Sequence, residues 1–505
     1  MLSSDKSEIT SRLLIKNSII NFIGQAITLP LVILTFPYIV HHLGAAKFGV
    51  FALLRVLVDY FGVCELGLGG ATTKYIAEAR ERNEAEKIVK IYKTSATFIF
   101  VFGLVGTLVF YFSVPFLAEY FLKIEKNLLL EMQVISRIGS SLVFVILMKA
   151  FFNGILEAYQ RFDLINIIKI PYFIMISIIP VIAIYLGYGL VGIVVGIVFI
   201  ELVTLIEYYL FSKKLIPGRE AKLLSLSSFA PLLSFGWWLS AARVISWIMV
   251  NIQNIIIGSL ISMAAVTYYN IPYNLVNKMA IIGASITPIV FSAMSFLYSR
   301  NKERTPKLVA YSLRYTMILY GLPSLICICF SREILILWLG NDFQQSVTVM
   351  KILAIGMFSC GFAWMLGTFI QSVGKPKLIS LIGFFQLPLD ILATLFLTKN
   401  FGILGAALAW TCLRILTTII FYLICSRFNI YRASLKFNKN FLFGSGYFLL
   451  LIILIATLKH FSPISLLHAG FNILILIAGY SFIMWRYSIE ETHKALLINR
   501  IWKKI

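Results

Sequence analysis

Charged residues are scarce in this sequence of 505 residues: only 13% are Asp, Glu, Lys or Arg, and only 22 residues are acidic. Soluble globular domains carry about 25% charged residues, so a chain of soluble domains is excluded. Apolar residues fill the sequence instead, at 60% of the total, and the mean hydropathy is +0.90. Because one membrane-spanning helix needs about 20 mainly apolar residues, the composition predicts a polytopic integral membrane protein.

Motifs of catalytic, metal and disulfide sites are also missing. The six cysteines lie in apolar runs without C-x-x-C spacing or a neighbouring His cluster, which excludes a zinc site and a disulfide framework. The sequence contains no G-x-x-x-x-G-K-[ST], H-E-x-x-H or G-x-S-x-G motif, so an ATPase or hydrolase centre is unsupported. We therefore expect a protein that is not an enzyme and holds no cofactor or metal, with proton or sodium coupling left open.

Long apolar runs, broken by charges and turn residues, predict about fourteen transmembrane helices. Strands of a membrane barrel would instead be about ten residues of alternating polarity, and the run 178–206, with a single charge, does not alternate. The fold class expected is all-α. The predicted spans are 17–40, 48–70, 94–115, 133–155, 165–186, 190–211, 229–257, 264–297, 309–331, 346–371, 378–398, 403–425, 440–459 and 467–486.

The basic residues give the orientation of these spans. Alternate loops on the side of the N-terminus hold 32 Lys and Arg residues, and the loops of the opposite side hold 7. Cytoplasmic loops carry the excess of Lys and Arg, so both termini are predicted to be cytoplasmic. The net charge of +22 is then explained by topology, and nucleic-acid binding is not expected. The mixed-charge loop from Lys74 to Lys93 is predicted to form one amphipathic cytoplasmic helix.

An internal repeat divides the chain into two parts. The segment 188–192, Tyr-Gly-Leu-Val-Gly, opens span six, and 401–405, Phe-Gly-Ile-Leu-Gly, opens span twelve 213 residues later. An even number of spans separates the copies, so the repeat is parallel in topology. We expect a cytoplasmic segment over 1–16, an N-lobe of six helices over 17–222, a C-lobe of six helices over 223–430, and two further helices with a cytoplasmic tail over 431–505.

Polar side chains recur on one face of several predicted spans. Charged groups inside a membrane usually face the bundle interior or a wet cavity. We interpret these faces as the lining of a lumen; the alternative is pairing between helices, of Arg55 with Asp59 or of Arg243 with Asp390. Arg414, inside span twelve, is left between snorkelling to the interface and the lumen. The faces comprise Arg243, Trp247, Asn251 and Asn254 in span seven, Asn270, Asn274 and Lys278 in span eight, Arg55 and Asp59 in span two, and Asp390 in span eleven.

The residue types suggest roles. Arg and Lys suit phosphate groups, so Arg243, Lys278 and Arg55 are candidates for an anionic cargo. Amide and aromatic side chains suit sugars, so a hydroxyl-rich part of the cargo is assigned to Asn251, Asn254, Asn270, Asn274 and Trp247. Asp59 and Asp390 are candidates for a coupling proton or cation.

Several short segments resemble a known family. Leu43-Gly44 with Phe48-Gly49, then 65–68 (Glu-Leu-Gly-Leu) and 74–78 (Lys-Tyr-Ile-Ala-Glu), are similar to the opening signature of polysaccharide biosynthesis membrane proteins. Phe235-Gly236-Trp237, Ile257-Gly258 and Tyr268-Tyr269 continue the pattern, which extends over residues 10 to 430. Glu65 and Lys74 replace the more usual Asp and Arg and conserve the charge. These proteins are the O-antigen and exopolysaccharide flippase branch of the multidrug/oligosaccharidyl-lipid/polysaccharide exporter superfamily.

The resemblance implies two six-helix lobes in a V, alternating access, and a polyprenyl-diphosphate-linked oligosaccharide flipped from the cytoplasmic to the outer leaflet of a bacterial inner membrane. Its implied partners are the lipid-linked oligosaccharide and membrane lipid, with a polysaccharide polymerase and chain-length proteins as further candidates. The alternative in the same fold is a cation-coupled multidrug exporter. A membrane glycosyltransferase would need acidic residues in an outer loop, where the sequence has few.

Overall fold

Helices form all the regular secondary structure that the computed structural model describes, over residues 2–63, 68–216, 229–300, 305–427 and 466–488. The prediction of an all-α fold is confirmed. The helices are α1 (Leu2–Val63), α2 (Leu68–Glu81), α3 (Ala85–Tyr120), α4 (Lys126–Ala158), α5 (Phe162–Tyr185), α6 (Gly189–Lys213), α7 (Phe229–Leu260), α8 (Met263–Asn277), α9 (Ala280–Arg300), α10 (Thr305–Cys329), α11 (Ser331–Leu339), α12 (Gln344–Ser372), α13 (Pro376–Arg427) and α14 (Leu466–Ile483).

Most of these helices are long and apolar enough to span a membrane. Within the described ranges, nine helical stretches are long and apolar enough to cross a membrane, which confirms a polytopic membrane protein. Predicted span thirteen, 440–459, lies outside the described residues, so the count of fourteen stays a prediction.

The ranges of α1 and α13 each contain two helical parts, which match two predicted spans and meet at a glycine. Gly44 (φ 77°) separates spans one and two in α1, and Gly402 (φ 60°) separates spans eleven and twelve in α13. A positive φ is costly for residues with a Cβ atom and costs glycine nothing extra. Each glycine therefore lets the chain turn back with almost no loop.

The segment from Lys74 to Lys93 is not one helix, and that prediction is wrong. Helix α2 ends at Glu81, Asn83 takes a left-handed conformation with φ 54°, and α3 begins at Ala85. Asparagine tolerates this conformation better than most residues. The amphipathic pattern is real within α2, which buries Ile76 and Ala79 completely.

Predicted span eight is interrupted in its middle. Helix α8 ends at Asn277 and α9 begins at Ala280. Across the break the backbone amides of Lys278, Met279, Ile281 and Ile282 bond to carbonyls three residues earlier, which is the pattern of a 3₁₀ turn. The break places Lys278 at an irregular point of the backbone inside a span.

The chain forms two compact units, residues 1–267 and 268–505. In the first unit, α4 packs against α1, α2, α3 and α6, and in the second unit α12 packs against α9, α10, α11 and α13. Helix α7 belongs to the first unit, where it packs against α1 and α2. The proposed lobes over 17–222 and 223–430, their arrangement in a V and the segment boundaries stay predictions.

Candidate functional site

A buried ion pair joins three helices of the first unit. The Lys149 ammonium on α4 donates a hydrogen bond to the Glu201 carboxylate on α6, with side chains 18% and 4% exposed. The Tyr172 hydroxyl on α5 donates to the other carboxylate oxygen at 2.6 Å, and the Lys149 Nζ lies 4.4 Å from the centre of the Tyr172 ring. The carboxylate thus receives two donors, and the ammonium also faces an aromatic ring.

The surroundings make this pair costly to break. A buried charge is tolerated when it is paired and its remaining polar atoms are hydrogen-bonded, and the Tyr172 hydroxyl supplies the second bond. Glu201 is the only charged residue in the run 178–206. Helices α4, α5 and α6 pack against one another, which brings the three side chains together.

Two predicted site residues extend this cluster. Arg55 and Asp59 lie one turn apart on the second part of α1, Arg55 half-buried and Asp59 exposed. The charges that act on the Asp59 carboxylate are those of Arg55, Glu201 and Lys149. The first unit therefore holds two acidic and two basic side chains in one electrostatically coupled group, which we call the α1–α4–α6 cluster: Arg55, Asp59, Lys149 and Glu201.

The candidate site residues predicted from the sequence did not include Lys149, Tyr172 or Glu201. The count of basic residues on the side of the N-terminus includes Lys149, although the residue falls within predicted span four, 133–155. In the structure it lies inside α4, nine residues before the helix ends at Ala158. Glu201 carried a usable signal, as the single charge of a long apolar run. Tyr172 carried none, because one tyrosine in an apolar span is not distinctive.

The predicted face of span seven lies on α7. The Trp247 and Tyr60 rings are 5.0 Å apart between centroids, and the Asn251 side chain donates to the Trp247 carbonyl at 3.1 Å. Asn254 is buried, at 2% exposed. Arg243 belongs to α7, but its side chain lies outside the described residues.

A second buried ion pair lies in the second unit. The Arg414 guanidinium donates to the Asp390 carboxylate at 3.2 Å, and Asp390 is fully buried. The Thr394 hydroxyl is 3.5 Å from the other carboxylate oxygen, and Gln386 donates to the Leu413 carbonyl at 3.2 Å. All these residues lie on the two parts of α13, which fold against each other after the turn at Gly402.

This geometry decides a point that the sequence left open. Pairing of Arg243 with Asp390 was an alternative to the lumen interpretation and stays a prediction, while the structure shows Asp390 paired with Arg414. The Arg414 guanidinium also lies 5.7 Å from the Trp410 ring centroid, and its side chain is 17% exposed. Arg414 is therefore a structural partner of a buried carboxylate, not a snorkelling residue.

The predicted face of span eight is partly accessible. The Asn274 side chain donates to the Asn270 side-chain oxygen at 2.6 Å; Asn270 is buried, and Asn274 is exposed. Lys278, one turn further at the break between α8 and α9, is also exposed and forms no ion pair with the described part of the chain. Asn274 and Lys278 thus present an amide and a positive charge together.

With this geometry established, comparison with known proteins identifies the family of the chain. The sequence pattern of the polysaccharide biosynthesis protein family matches residues 14–297. The chain belongs to this family. The match covers α1 to α8 and most of α9, and so includes the α1–α4–α6 cluster and the interrupted span eight.

One relative and two solved structures similar to this chain are transport proteins by name or by title. A Shigella flexneri protein provisionally named an O-antigen transporter is 27% identical over 415 residues, which are 81% of this chain and 96% of the relative. Among solved structures, the lipid II flippase MurJ in an inward closed conformation has a TM-score of 0.72, at 15% identity, over 93% of this chain and 98% of the other. An inward-facing multidrug resistance transporter of the MATE family has a TM-score of 0.69, at 15% identity, over 79% and 94%. At these identities the two structures show a shared fold.

Proposed function

We propose that this protein is a flippase, which moves a polyprenyl-diphosphate-linked oligosaccharide from the cytoplasmic to the outer leaflet of a bacterial inner membrane. The cargo would serve O-antigen or exopolysaccharide synthesis, and the movement would proceed by alternating access. The observation that carries the proposal is the family membership together with a relative, named for O-antigen transport, that is matched over 96% of its length. The fold shared with a lipid II flippase supports it.

The cargo has two chemical parts that match exposed groups of the second unit. A diphosphate is attracted to an ammonium, and Lys278 is an exposed ammonium without a carboxylate partner in the described residues. Asn274, one turn away, offers hydrogen bonds to sugar hydroxyls. We assign the direct contacts to these two residues, with Arg243 and Arg55 as further basic contacts.

The other predicted cargo residues fit a supporting role better. Asn254 and Asn270 are buried, and the Asn251 amide is engaged by the Trp247 carbonyl. A buried or half-buried group whose hydrogen bonds are already made inside the protein gains little by exchanging them for a ligand. Asn274 differs because it is exposed, although its amide donates one bond to Asn270. We propose that Asn251, Asn254, Asn270 and Trp247 position the helices that carry the exposed contacts.

Coupling to a proton or sodium ion is part of the proposal, with Asp59 as the preferred carboxylate. Asp59 is exposed, whereas Asp390 is fully buried and bonded to Arg414. An ion reaches a carboxylate most easily where water reaches it. Asp390 stays the second candidate.

A cation-coupled multidrug exporter is the second candidate function, because the fold is also that of a multidrug resistance transporter. Cationic drugs would favour a site with unpaired carboxylates. Glu201 and Asp390, the two most deeply buried carboxylates of the described residues, are both paired to basic side chains, which favours an anionic cargo.

The test is the lipid extract of a deletion strain. We expect diphosphate-linked oligosaccharide to accumulate facing the cytoplasm, and expression of this chain to reverse it. Unchanged lipid-linked oligosaccharide, with new sensitivity to cationic drugs, would overturn the flippase in favour of the exporter. Polymerase and chain-length proteins, as proposed partners, would be tested by co-purification from the same strain.

A further inference from the structure

The two most deeply buried carboxylates of the described spans share one feature. Glu201 is bonded to Lys149 within the first unit, and Asp390 to Arg414 within the second. Each carboxylate therefore has a cation attached to the chain itself. Asp59, by contrast, has an exposed side chain.

The surroundings of the Lys149 ammonium are those of a small cation site. Glu201 supplies a carboxylate, of which 4% is exposed, and the Tyr172 ring lies 4.4 Å from the nitrogen. Carboxylates and aromatic faces are the groups that bind ammonium ions. The Tyr172 hydroxyl holds the second oxygen of Glu201 at 2.6 Å, so the carboxylate is fixed in place whether or not the cation is present.

We infer that Lys149 is a tethered cation that fills a site for a free monovalent cation, formed by the Glu201 carboxylate and the Tyr172 ring. Lys149 would then determine which acidic residue of the first unit responds to ions: with Lys149 present, Glu201 is closed to free cations and Asp59 remains open. Removing the lysine side chain beyond Cβ should convert Glu201 into a binding site for an external amine.

The ligand that tests this is n-propylammonium. Lys149→Ala removes three methylenes and the ammonium, and n-propylammonium returns an ammonium on a three-carbon chain. Choline is the control cation, because its quaternary nitrogen has no N–H donor for Glu201. The measurement is the Tm of the purified full-length protein in detergent, with each chloride salt at equal ionic strength.

The expected result is a rise in the Tm of Lys149→Ala that depends on the n-propylammonium concentration and is absent in choline, since a ligand that binds only the folded state stabilises it. Wild type should respond equally to both salts. The double variant Lys149→Ala with Glu201→Gln should lose the rise, because the carboxylate is gone. Lys47→Ala is the matched control, since its pair with Glu131 has the lysine 41% exposed.

A Lys149→Ala protein that responds to n-propylammonium no more than wild type does would overturn the inference, as would a double variant that keeps the rise. If Lys149→Ala cannot be purified in choline, purification in n-propylammonium becomes the test: recovery of monodisperse protein supports the site, and failure in both salts contradicts it. The assay uses no cargo, so its outcome is independent of the proposed flippase activity.

Discussion

Glu201 and Arg414 occupy the same register position in the two halves of the repeat: each is the twelfth residue after a glycine with positive φ, Gly189 at 56° and Gly402 at 60°. The repeat predicted from the segments 188–192 and 401–405 therefore extends to the backbone conformation of its glycines. The charge at the matched position is reversed, negative in α6 and positive in α13. Each half buries an ion pair there, but with opposite polarity, so the halves are not chemically equivalent.

The Asp390–Arg414 pair predicts a large and non-additive loss of stability. Asp390→Ala leaves the Arg414 guanidinium without its carboxylate, and breaking a buried pair by removing one partner costs about 3–5 kcal/mol. Replacing both partners, as in Asp390→Leu with Arg414→Met, should cost much less, because no unpaired charge remains. The measurement is thermal or denaturant unfolding of the purified protein.

A double variant as unstable as the sum of its two single variants would contradict this energetic account. Asp390→Asn is the informative intermediate, since it keeps the shape and removes the charge. It should fall between wild type and Asp390→Ala.

Tyr172→Phe should destabilise the first unit through one hydrogen bond. The variant removes the hydroxyl that donates to Glu201 at 2.6 Å, and hydrogen bonds to charged groups contribute about 1.5–3 kcal/mol. Tyr185→Phe is the matched control on the same helix, because Tyr185 is 81% exposed. Equal Tm values for the two variants would show that the Tyr172 hydroxyl contributes nothing to stability.

The positions of the helices could be predicted from the sequence, whereas the pairs formed by charged side chains could not. The reasons are physical. Membrane spans follow from apolar length, which each segment carries locally, and so α4, α5 and α6 were expected within a few residues. The pairing of Lys149 with Glu201 depends on how three helices pack, which no local pattern encodes. Lys149 lies near the end of predicted span four, 133–155, where a lone lysine is typical of a membrane boundary.

Some of the turns could likewise be predicted from the sequence, and others could not. The chain reverses between spans at Gly44 and Gly402. Glycine fits these positions because it adopts a positive φ at no steric cost. The break of α8 at Lys278 was not expected, because the run 264–297 is apolar enough overall to read as one span. Asn83 ended α2 within a segment whose charge pattern suggested a longer helix.

Gly49→Ala should disrupt the packing of α1 against the start of α8. A Cβ atom at this position would lie 1.8 Å from the Met263 carbonyl oxygen, and neighbouring Thr267 donates to the Ala45 carbonyl at 2.6 Å. Overpacking of a well-packed interior costs about 1–3 kcal/mol and sometimes more. The Tm of the purified variant should fall accordingly.

Gly383→Ala is the control for that substitution. A Cβ atom there meets nothing within 4 Å, and alanine is the better helix former by about 1 kcal/mol. We expect its Tm to equal or exceed that of wild type. If Gly49→Ala unfolds at the temperature of Gly383→Ala, the close approach of Gly49 to Met263 is not required.

Asp59→Asn should change the ion dependence of transport with little loss of stability. The carboxylate is exposed, so its removal leaves no buried orphan, yet it lies among the charges of Arg55, Lys149 and Glu201. The measurement is flipping of lipid-linked oligosaccharide in vesicles with an imposed proton or sodium gradient. Asp59→Asn should lose the response to the gradient, whereas undiminished gradient dependence would remove Asp59 from the coupling mechanism.

Lys278→Ala should strongly reduce surface glycan while the protein stays in the membrane at its normal level. The ammonium is exposed at the break between α8 and α9 and forms no ion pair with the described residues, so its loss leaves no carboxylate unpaired. Its attraction for a diphosphate is lost with it. Combining Lys278→Ala with Arg243→Ala should deepen the defect if both residues meet the cargo.

Two comparisons separate cargo binding from general charge. Lys377→Ala removes another exposed lysine of the second unit, at the start of α13, and should leave surface glycan unchanged because this residue lies in a predicted cytoplasmic loop. Lys278→Arg keeps the positive charge and should retain part of the activity. Normal glycan in the Lys278→Ala, Arg243→Ala double variant would show that neither residue is needed for the cargo, since a diphosphate-bearing ligand that loses two of its basic contacts must bind more weakly.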